Sequence, residues 1–405
     1  MLKNLNSIET DVIVCGAGIS GLLMAKSLTN IGLKVTCIEK YKRQKDSTKE
    51  TDLRSTALLD PAISFFKEIG VWEKFEKFAQ PLNSLVICNL DPKTEEINSS
   101  CEFFAEELGI NVLGYNLPNK LIIEELQKLM KLSKNFFYLE GDYVEHITPR
   151  SFDVVIKTKE KKQITSKLII AADGRHSKVR ELLNIKKFKY DYNQQAFVFN
   201  IRHKINHDSK SYEIYKSEGP CTLVPLNTSK FNGHFSSVVL MLKDSKKNDK
   251  NFLNKENLSH FITKRTGYIL GECTVTSEVG NFPIITQASS RLISERLILL
   301  AETAHVLPPI GAQGLNTSIH DIKNLFFLIE KKLINNEEIG DNIFLKEYDN
   351  SRKIKITSRM LSVHILNKLA ISKNPTISNI RKYGLSFLNG NKISKKNVMK
   401  FGMFQ

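Results

Sequence analysis

Three glycines and a carboxylate near the start of the chain have the spacing that phosphate recognition needs. Gly16-Ala17-Gly18-Ile19-Ser20-Gly21 follows the apolar run Asp11–Cys15 and precedes an apolar helical face of Leu22, Ala25 and Leu28. Gly16 permits a tight turn, Gly18 lets a pyrophosphate approach the backbone, and Gly21 allows close helix–strand packing. Glu39 ends the next strand pattern, Lys34–Glu39, 18 residues past Gly21. A carboxylate there accepts hydrogen bonds from ribose hydroxyls, and an acid rather than a base suits an adenosine ribose without a 2′-phosphate, as in FAD or NAD. The glycines alone are a weak signal. Strand, glycines, helix, strand and acid together specify dinucleotide binding.

A second stretch, Ala304-His-Val-Leu-Pro-Pro-Ile-Gly-Ala-Gln-Gly-Leu-Asn316, follows the strand pattern Leu297–Leu300. Leu315, Ile319, Ile322, Phe326 and Ile329 then repeat at helical spacing, so a helix is expected to begin near Leu315. Pro308 and Pro309 stiffen the turn, while Gly311 and Gly314 remove side chains where something approaches the backbone. The helix N-terminus offers free N–H groups and a positive dipole end to an anion. Taken alone, such a segment is an αβ connection as readily as a binding loop. A third stretch, Asp173-Gly-Arg-His-Ser-Lys-Val-Arg180, directly follows the strand pattern Leu168–Ala172. Asp-Gly at a strand end is ordinary turn chemistry, but the full spacing is much less common.

The elements that position these groups read as mixed α/β. The chain opens as a βαβ unit. Residues 56–75 read as one helix through Ala57, Ile63, Phe66 and Ile69, and Lys120–Leu132 reads as another. Short strands follow from 136 to 170. Between 186 and 285 alternation places strands at Ala196–Arg202, Tyr212–Tyr215, Cys221–Val224, Ser236–Leu242 and Thr274–Val279, with 244–257 as a polar surface loop. Helices dominate after 316, punctuated by Pro375, Gly384 and Gly390. The six scattered cysteines contain no CxxC and read as small core residues of a reducing compartment. The nine histidines show no metal-ligand spacing, so no metal is expected.

Together, in this order and at these separations, Gly16–Gly21, Asp173–Arg180 and Ala304–Asn316 resemble the motifs of class A flavoprotein monooxygenases. Within that class the chain is similar to the ubiquinone-biosynthesis hydroxylases, whose third motif commonly ends Gly-Gln-Gly-x-Asn. Arg54-Ser-Thr-Ala-Leu58 with Ile69-Gly-Val-Trp72, Tyr192-x-Gln194-x-Ala196, Glu218-Gly-Pro220 with Leu223-x-Pro225-Leu226, and Ile380-Arg381-x-x-Gly384 through Met403 extend the likeness along most of the chain. Two positions depart from it. The family usually has Asp where Glu302 stands, on the flavin ribityl chain, and Arg where Lys120 stands, which keeps the charge but loses the bidentate fork. Lys120 then meets the pyrophosphate as a point charge or remains a solvated helix-start lysine.

The resemblance implies a discontinuous Rossmann-like FAD-binding domain (1–75, 101–185 and 286–335), an inserted mainly antiparallel β-sheet substrate domain (76–100 and 186–285) and a basic helical C-terminal region (336–405). It also implies a cofactor-binding set of Gly16, Gly18, Ser20, Gly21, Glu39, Arg54, Lys120, Asp173, Glu302, Gly311, Gln313, Gly314, Leu315 and Asn316. Pro308, Pro309 and Gly311 form the catalytic loop at the flavin edge. A single GxGxxG suits FAD as the resident cofactor and NAD(P)H as a transient co-substrate. The reaction implied is capture of O2 by reduced flavin as a hydroperoxide and transfer of one oxygen to a prenylated phenol. His305 is expected to hold the loop rather than act as a base, His176 to lie on the surface, and Tyr192 and Gln194 to be sheet residues. Alternatives are an FAD-dependent prenyl reductase, a hydroxylase of another aromatic compound, or a non-catalytic FAD-binding scaffold. A halogenase is disfavoured because Trp72 is the only tryptophan.

Charge divides the chain unevenly. Residues 351–405 hold twelve Lys or Arg and no Asp or Glu, whereas residues 1–350 hold 47 basic and 43 acidic side chains. A near-neutral body argues against nucleic acid as a partner. The basic tail suits an anionic membrane surface or a biosynthetic complex, or is a lysine-rich solvated face. No apolar run reaches the ~20 residues that span a bilayer, and the acidic start is unlike a signal peptide. The expected location is cytoplasmic, with the tail peripheral on the inner membrane.

Overall fold

The computed structural model describes residues 7–42, 52–91, 94, 96–216, 218–227, 232–372 and 374–403. Its six-stranded sheet runs Ile293–Ser294, Leu297–Leu299, Leu168–Ala171, Val12–Cys15, Val35–Glu39, Phe136–Glu140. All neighbours are parallel except the first pair. Both faces are covered, so the strands are continuous apolar runs rather than alternating ones. Counted along the chain, the parallel strands lie in the order 3-2-1-4-5, which puts the reversal of direction between Val12–Cys15 and Leu168–Ala171. Ligands of such sheets bind beyond the carboxyl ends of the strands at this crevice. Cys15 pairs with Ala171, and Ala171 with Leu299. The three motifs therefore leave three adjacent strands at the same level.

Helix α1 (Ile19–Asn30) packs its apolar face on this sheet. The expected helix over 56–75 is instead a strand, Ser55–Leu59, followed by α2 (Asp60–Glu68) and α3 (Trp72–Glu76). Asp60-Pro61 starts α2 with proline in its first turn, and Gly70, at φ +69°, ends it. Ser55–Leu59 pairs antiparallel with Gly114–Pro118, and α4 (Asn119–Lys131) follows as expected. After α5 (Lys178–Leu182) the chain returns to a nine-stranded sheet that already holds two earlier strands.

The expected strand Ala196–Arg202 falls in the C-terminal half of a 17-residue strand, Lys187–His203, bent where Asn193 adopts φ +53°. Its neighbours are Gly280–Ser289 and His234–Lys243. Gly219–Pro225, Lys210–Lys216, Ser84–Leu90 and Ile97–Phe104 continue the sheet. The last strand runs through the expected boundary at residue 100. Thr274–Val279 shortens to Cys273–Val275. The polar segment 244–257 is not all loop, because Asn254 caps α6 (Lys255–Arg265) by accepting from Glu256 and Asn257 N–H groups. Helix α6 covers one sheet face over a core of Phe197, Phe199, Ile214, Leu240 and Ile262.

Four helices close the fold: α7 (Gln313–Ile334), α8 (Asn342–Ile371), α9 (Pro375–Gly390) and α10 (Lys392–Met403). Gly384 lies inside α9 and does not interrupt it, and Gly390 is its last residue. The six cysteines are buried and unpaired.

Candidate active site

The glycine turn is built as its spacing requires. Gly16 sits at φ +102°, and a Cβ there would lie 2.3 Å from the Ala172 carbonyl oxygen. A Cβ on Gly21 would lie 1.9 Å from the Gly16 carbonyl oxygen, so Gly21 is needed for helix–strand contact. Gly18 differs: a Cβ there would meet nothing within 4 Å. That open space lies at the N-cap of α1, which has no side-chain cap and no acid in its first turn. The N–H groups there remain available to an anion. Glu39 closes the turn from the next strand. Its Oε2 accepts the Ala17 N–H at 2.7 Å and its Oε1 the Tyr41 N–H at 3.1 Å. A carboxylate has about four lone-pair sites, so acceptor capacity remains for ribose hydroxyls.

The second and third motifs interlock. Asp173 accepts the Val179 N–H at 3.1 Å and the Thr303 hydroxyl at 3.2 Å, and the Gly174 N–H donates to Thr303 Oγ1 at 3.0 Å. Arg180, buried, donates to the carbonyls of Thr303 and Arg175, both at 2.8 Å. Glu302 faces Arg175 in a two-point pair at 3.2 and 3.3 Å, and its charge also reaches Arg54. Arg54 is held by Asp52, with Nε and Nη2 each 2.8 Å from a carboxylate oxygen. Its backbone carbonyl accepts the Asn119 N–H at 2.9 Å, which brings exposed Lys120, the next residue, to this side of the molecule.

The Pro/Gly loop ends in two left-handed residues, Gly311 (φ +59°) and Ala312 (φ +56°). Ala312 is the N-cap of α7, which begins at Gln313, two residues before the expected start. The α7 N-terminus carries no side-chain cap and no first-turn acid, and space is open over Gly314. Pro308 and Ile310 are buried and Pro309 is half-buried. Ile310 packs among Ala196, Met241 and Val363. Gln313 Nε2 donates to the carbonyls of Gly311 at 2.8 Å and Gly402 at 3.2 Å. Asn316 turns away from the open space to bond Ala57, Leu59 and Ala312.

His305 stands at the start of the segment that leads into this loop. Buried, it places Nε2 2.5 Å from Asp321 Oδ2, and Arg352 donates to Asp321 Oδ1 at 2.7 Å. Burial pushes the Asp321 carboxyl up, yet His305 and Arg352 hold it below its usual range. Tyr192 bonds Thr286 and His364, and Gln194 bonds the Glu218 carbonyl, both as sheet residues. His176 is exposed. Sequence reasoning missed Arg175, Thr303, Asp321 and Arg352. Only Arg175 had a visible signal, as a cation inside the second motif opposite the carboxylate of the third.

These features fit a flavin dinucleotide. The open cradle at Gly18, the acceptor at Glu39, the Arg54–Glu302 neighbourhood and the uncapped α7 N-terminus share one end of the parallel sheet. Comparison with known proteins agrees. A family model described as "FAD binding domain" matches residues 9–358. Ubiquinone hydroxylase UbiM of Neisseria meningitidis serogroup C is 24% identical over 349 residues, covering 86% of this chain and 74% of that protein. The 3-demethoxyubiquinol 3-hydroxylase of Escherichia coli K12 is 23% identical over 399 residues, covering 97% and 98%. Among solved structures, p-nitrophenol 4-monooxygenase PnpA from Pseudomonas putida DLL-E4 superposes with a TM-score of 0.80 at 15% identity, covering 98% and 97%. With its three motifs gathered at one crevice and the family match spanning them, this chain belongs to the FAD-binding domain family of class A flavin monooxygenases, FAD-dependent enzymes that draw reducing equivalents from NAD(P)H.

Proposed function

We propose that this chain hydroxylates the ring of a prenylated phenol in ubiquinone biosynthesis, using NAD(P)H and O2. One observation carries the reading: likeness to a 3-demethoxyubiquinol 3-hydroxylase extends over 97% of the chain and includes all three site motifs. Bound FAD would accept hydride from NAD(P)H and activate O2 for transfer of one oxygen atom to the phenol.

The chain's own residues bind, orient and exclude water. Gly16, Gly18, Ser20 and Gly21 present the start of α1 to the pyrophosphate, with Lys120 as a nearby point charge. Glu39 takes the adenosine ribose. Glu302 takes the ribityl hydroxyls and Arg54 the flavin, with Arg175 fixing Glu302 and Asp173 fixing the adjoining Thr303 from the neighbouring loop. Gln313, Gly314, Leu315 and Asn316 aim the α7 N-terminus at the flavin, where its partial positive charge stabilises the reduced, anionic form. Pro308, Pro309 and Gly311 wall the reacting face against water. The division of labour we infer follows the sheets. The six-stranded sheet serves the cofactor, and the nine-stranded sheet, including Ile97–Phe104, walls the substrate.

The tail is the proposed contact with an anionic membrane surface. One side of α8–α10 packs on the body through Ile356, Val363, Leu385 and Met399. The other exposes Ile354, Leu361, Tyr383, Phe387 and Ile393 among lysines. No helix among the described residues is long and apolar enough to cross a membrane, so the contact is one of lying on the surface. Binding to anionic against neutral vesicles, by wild type and by a full-length chain with Lys382→Glu, Lys392→Glu, Lys396→Glu and Lys400→Glu at exposed positions, tests it; equal binding by both chains contradicts it. The reaction is tested with a prenylphenol, NAD(P)H and air. A product heavier by one oxygen supports hydroxylation, and a product gaining only two hydrogens supports a reductase.

A further inference from the structure

Helix α10 ends against the loop that leads into α7. Met399 and Met403 pack with Cys101 and Phe103 of the nine-stranded sheet, and buried Lys395 pairs with Glu107 at 2.7 Å. This anchorage sets the last turn of α10 beside Gln313. A helix leaves its last carbonyls without intrahelical partners. One of them, on Gly402, accepts Gln313 Nε2 at 3.2 Å and Arg359 Nη1 at 3.3 Å.

Arg359, on α8, is 6% exposed, and among the described residues no carboxylate forms a salt bridge with it. A buried cation without an acid is costly, and an apolar side chain would pack α8 with less penalty. The guanidinium is spent elsewhere. It lies over the Phe401 ring, 5.6 Å from the centroid, and its bond goes to the neighbouring Gly402 carbonyl. Both contacts hold the end of α10.

Gln313 gives that hold a use. Its amide nitrogen carries two hydrogens. The Gly311 carbonyl takes one at 2.8 Å and the Gly402 carbonyl the other. Two carbonyl acceptors fix which end of the amide is nitrogen. Among the described residues nothing donates to Gln313 Oε1, and no side chain caps α7. The α7 N-terminus therefore carries a fixed acceptor beside its free N–H groups. That pairing complements a ring edge with both carbonyl and N–H groups, as the flavin pyrimidine has.

We infer that the last turn of α10, gripped by Arg359, orients Gln313 and so completes the cofactor edge of the third motif. Arg359 is a positioning residue that acts through the Gly402 carbonyl. The assignment rests on the reading of the Pro308–Ala312 loop as the flavin edge.

The test titrates the full chain with FAD, as wild type, Arg359→Met, Arg359→Lys, Gln313→Leu and the Arg359→Met, Gln313→Leu double variant. Methionine keeps a long side chain without donors, whereas lysine keeps the charge and a donor. Arg359→Met should weaken FAD binding about threefold or more, the worth of one net hydrogen bond, and Arg359→Lys should restore it. Amide exchange across 311–316 should quicken in Arg359→Met and return to wild type in Arg359→Lys. In the Gln313→Leu background Arg359→Met should weaken FAD binding no further, because the route runs through Gln313. Wild-type affinity in Arg359→Met overturns the assignment, as do an Arg359→Lys chain that matches Arg359→Met and a double variant whose two losses add. If Arg359→Met does not fold, Gln313→Leu alone decides: amide exchange across 399–403 should quicken, and wild-type exchange there overturns the tie. If wild type retains no FAD, the flavin-edge reading fails on its own, and the exchange comparisons still decide the tie.

Discussion

The side-chain oxygen of Asn316 accepts the backbone N–H of Leu59 at 2.9 Å, while the same amide donates to the Ala57 carbonyl at 2.8 Å. One side chain thus imitates a neighbouring strand for Ser55–Leu59 and fixes the third motif to the segment that follows Arg54. The consequence is measurable. Asn316→Leu leaves part-buried backbone groups without partners and should cost about 1–2 kcal/mol, read as a lower urea midpoint with an unchanged slope. An unchanged midpoint contradicts this role.

Gly18 and Gly21 should respond in opposite ways. A valine at Gly18 enters open space on extended backbone, so the apoprotein should melt within a few degrees of wild type yet retain no FAD. Alanine at Gly21 meets the Gly16 carbonyl and should destabilise the chain itself. Gel filtration followed by a visible spectrum separates the two. A yellow Gly18→Val protein contradicts the cradle.

Glu302 tests the departure from the family pattern. Its pair with Arg175 is only part-buried, with side chains 45% and 20% exposed, so its stability contribution is at most ~1 kcal/mol. Glu302→Gln should scarcely shift the melting temperature but should weaken FAD binding at least tenfold, and Glu302→Asp should keep it. Flavin fluorescence titration reads both affinities. Equal affinity for wild type and Glu302→Gln removes Glu302 from the cofactor site.

Acid should unfold the chain partly through His203. Its Nδ1 lies 2.8 Å from the Ile205 carbonyl and its Nε2 3.0 Å from Ser236 Oγ. Burial, helped by His207 and His234, pushes its pKa down to about 4. The folded pKa is below the unfolded one, so the stabilisation is complete above about pH 6.5 and is lost as pH falls toward 4. Between pH 7.5 and 5 this group should account for about 2 kcal/mol. Asp321 is also depressed, so its contribution persists to lower pH, holding above the ordinary carboxylate range and failing only in stronger acid. Urea melts of wild type and His203→Gln should diverge in slope across the upper window; parallel curves contradict the account.

The parallel sheet and the glycine turn were legible because their physics is local. Val12–Cys15 and Leu168–Ala171 are short, buried on both faces and bounded by turn residues, so their types alone identify them. Ser55–Leu59 was misread because Ala57, Ile63, Phe66 and Ile69 happen to match a helical period, whereas the partners that make it a strand, Gly114–Pro118 and Asn316, lie far along the chain. The start of α6 was hidden in a polar stretch whose only signal was the cap residue Asn254. Within the site, the glycines and Glu39 were visible from spacing. The Glu302–Arg175 pair and the Asp321 cluster were not, because each joins residues more than fifteen positions apart through side chains that turn only in the folded molecule.

The central claim is that this site inserts an atom of dioxygen into a prenylated phenol. The most direct measurement incubates the FAD-loaded chain with NAD(P)H and a prenylphenol under isotopically labelled dioxygen and weighs the product. The account predicts one labelled oxygen in each product molecule. A product that carries no label, or one that has gained only hydrogen, contradicts it.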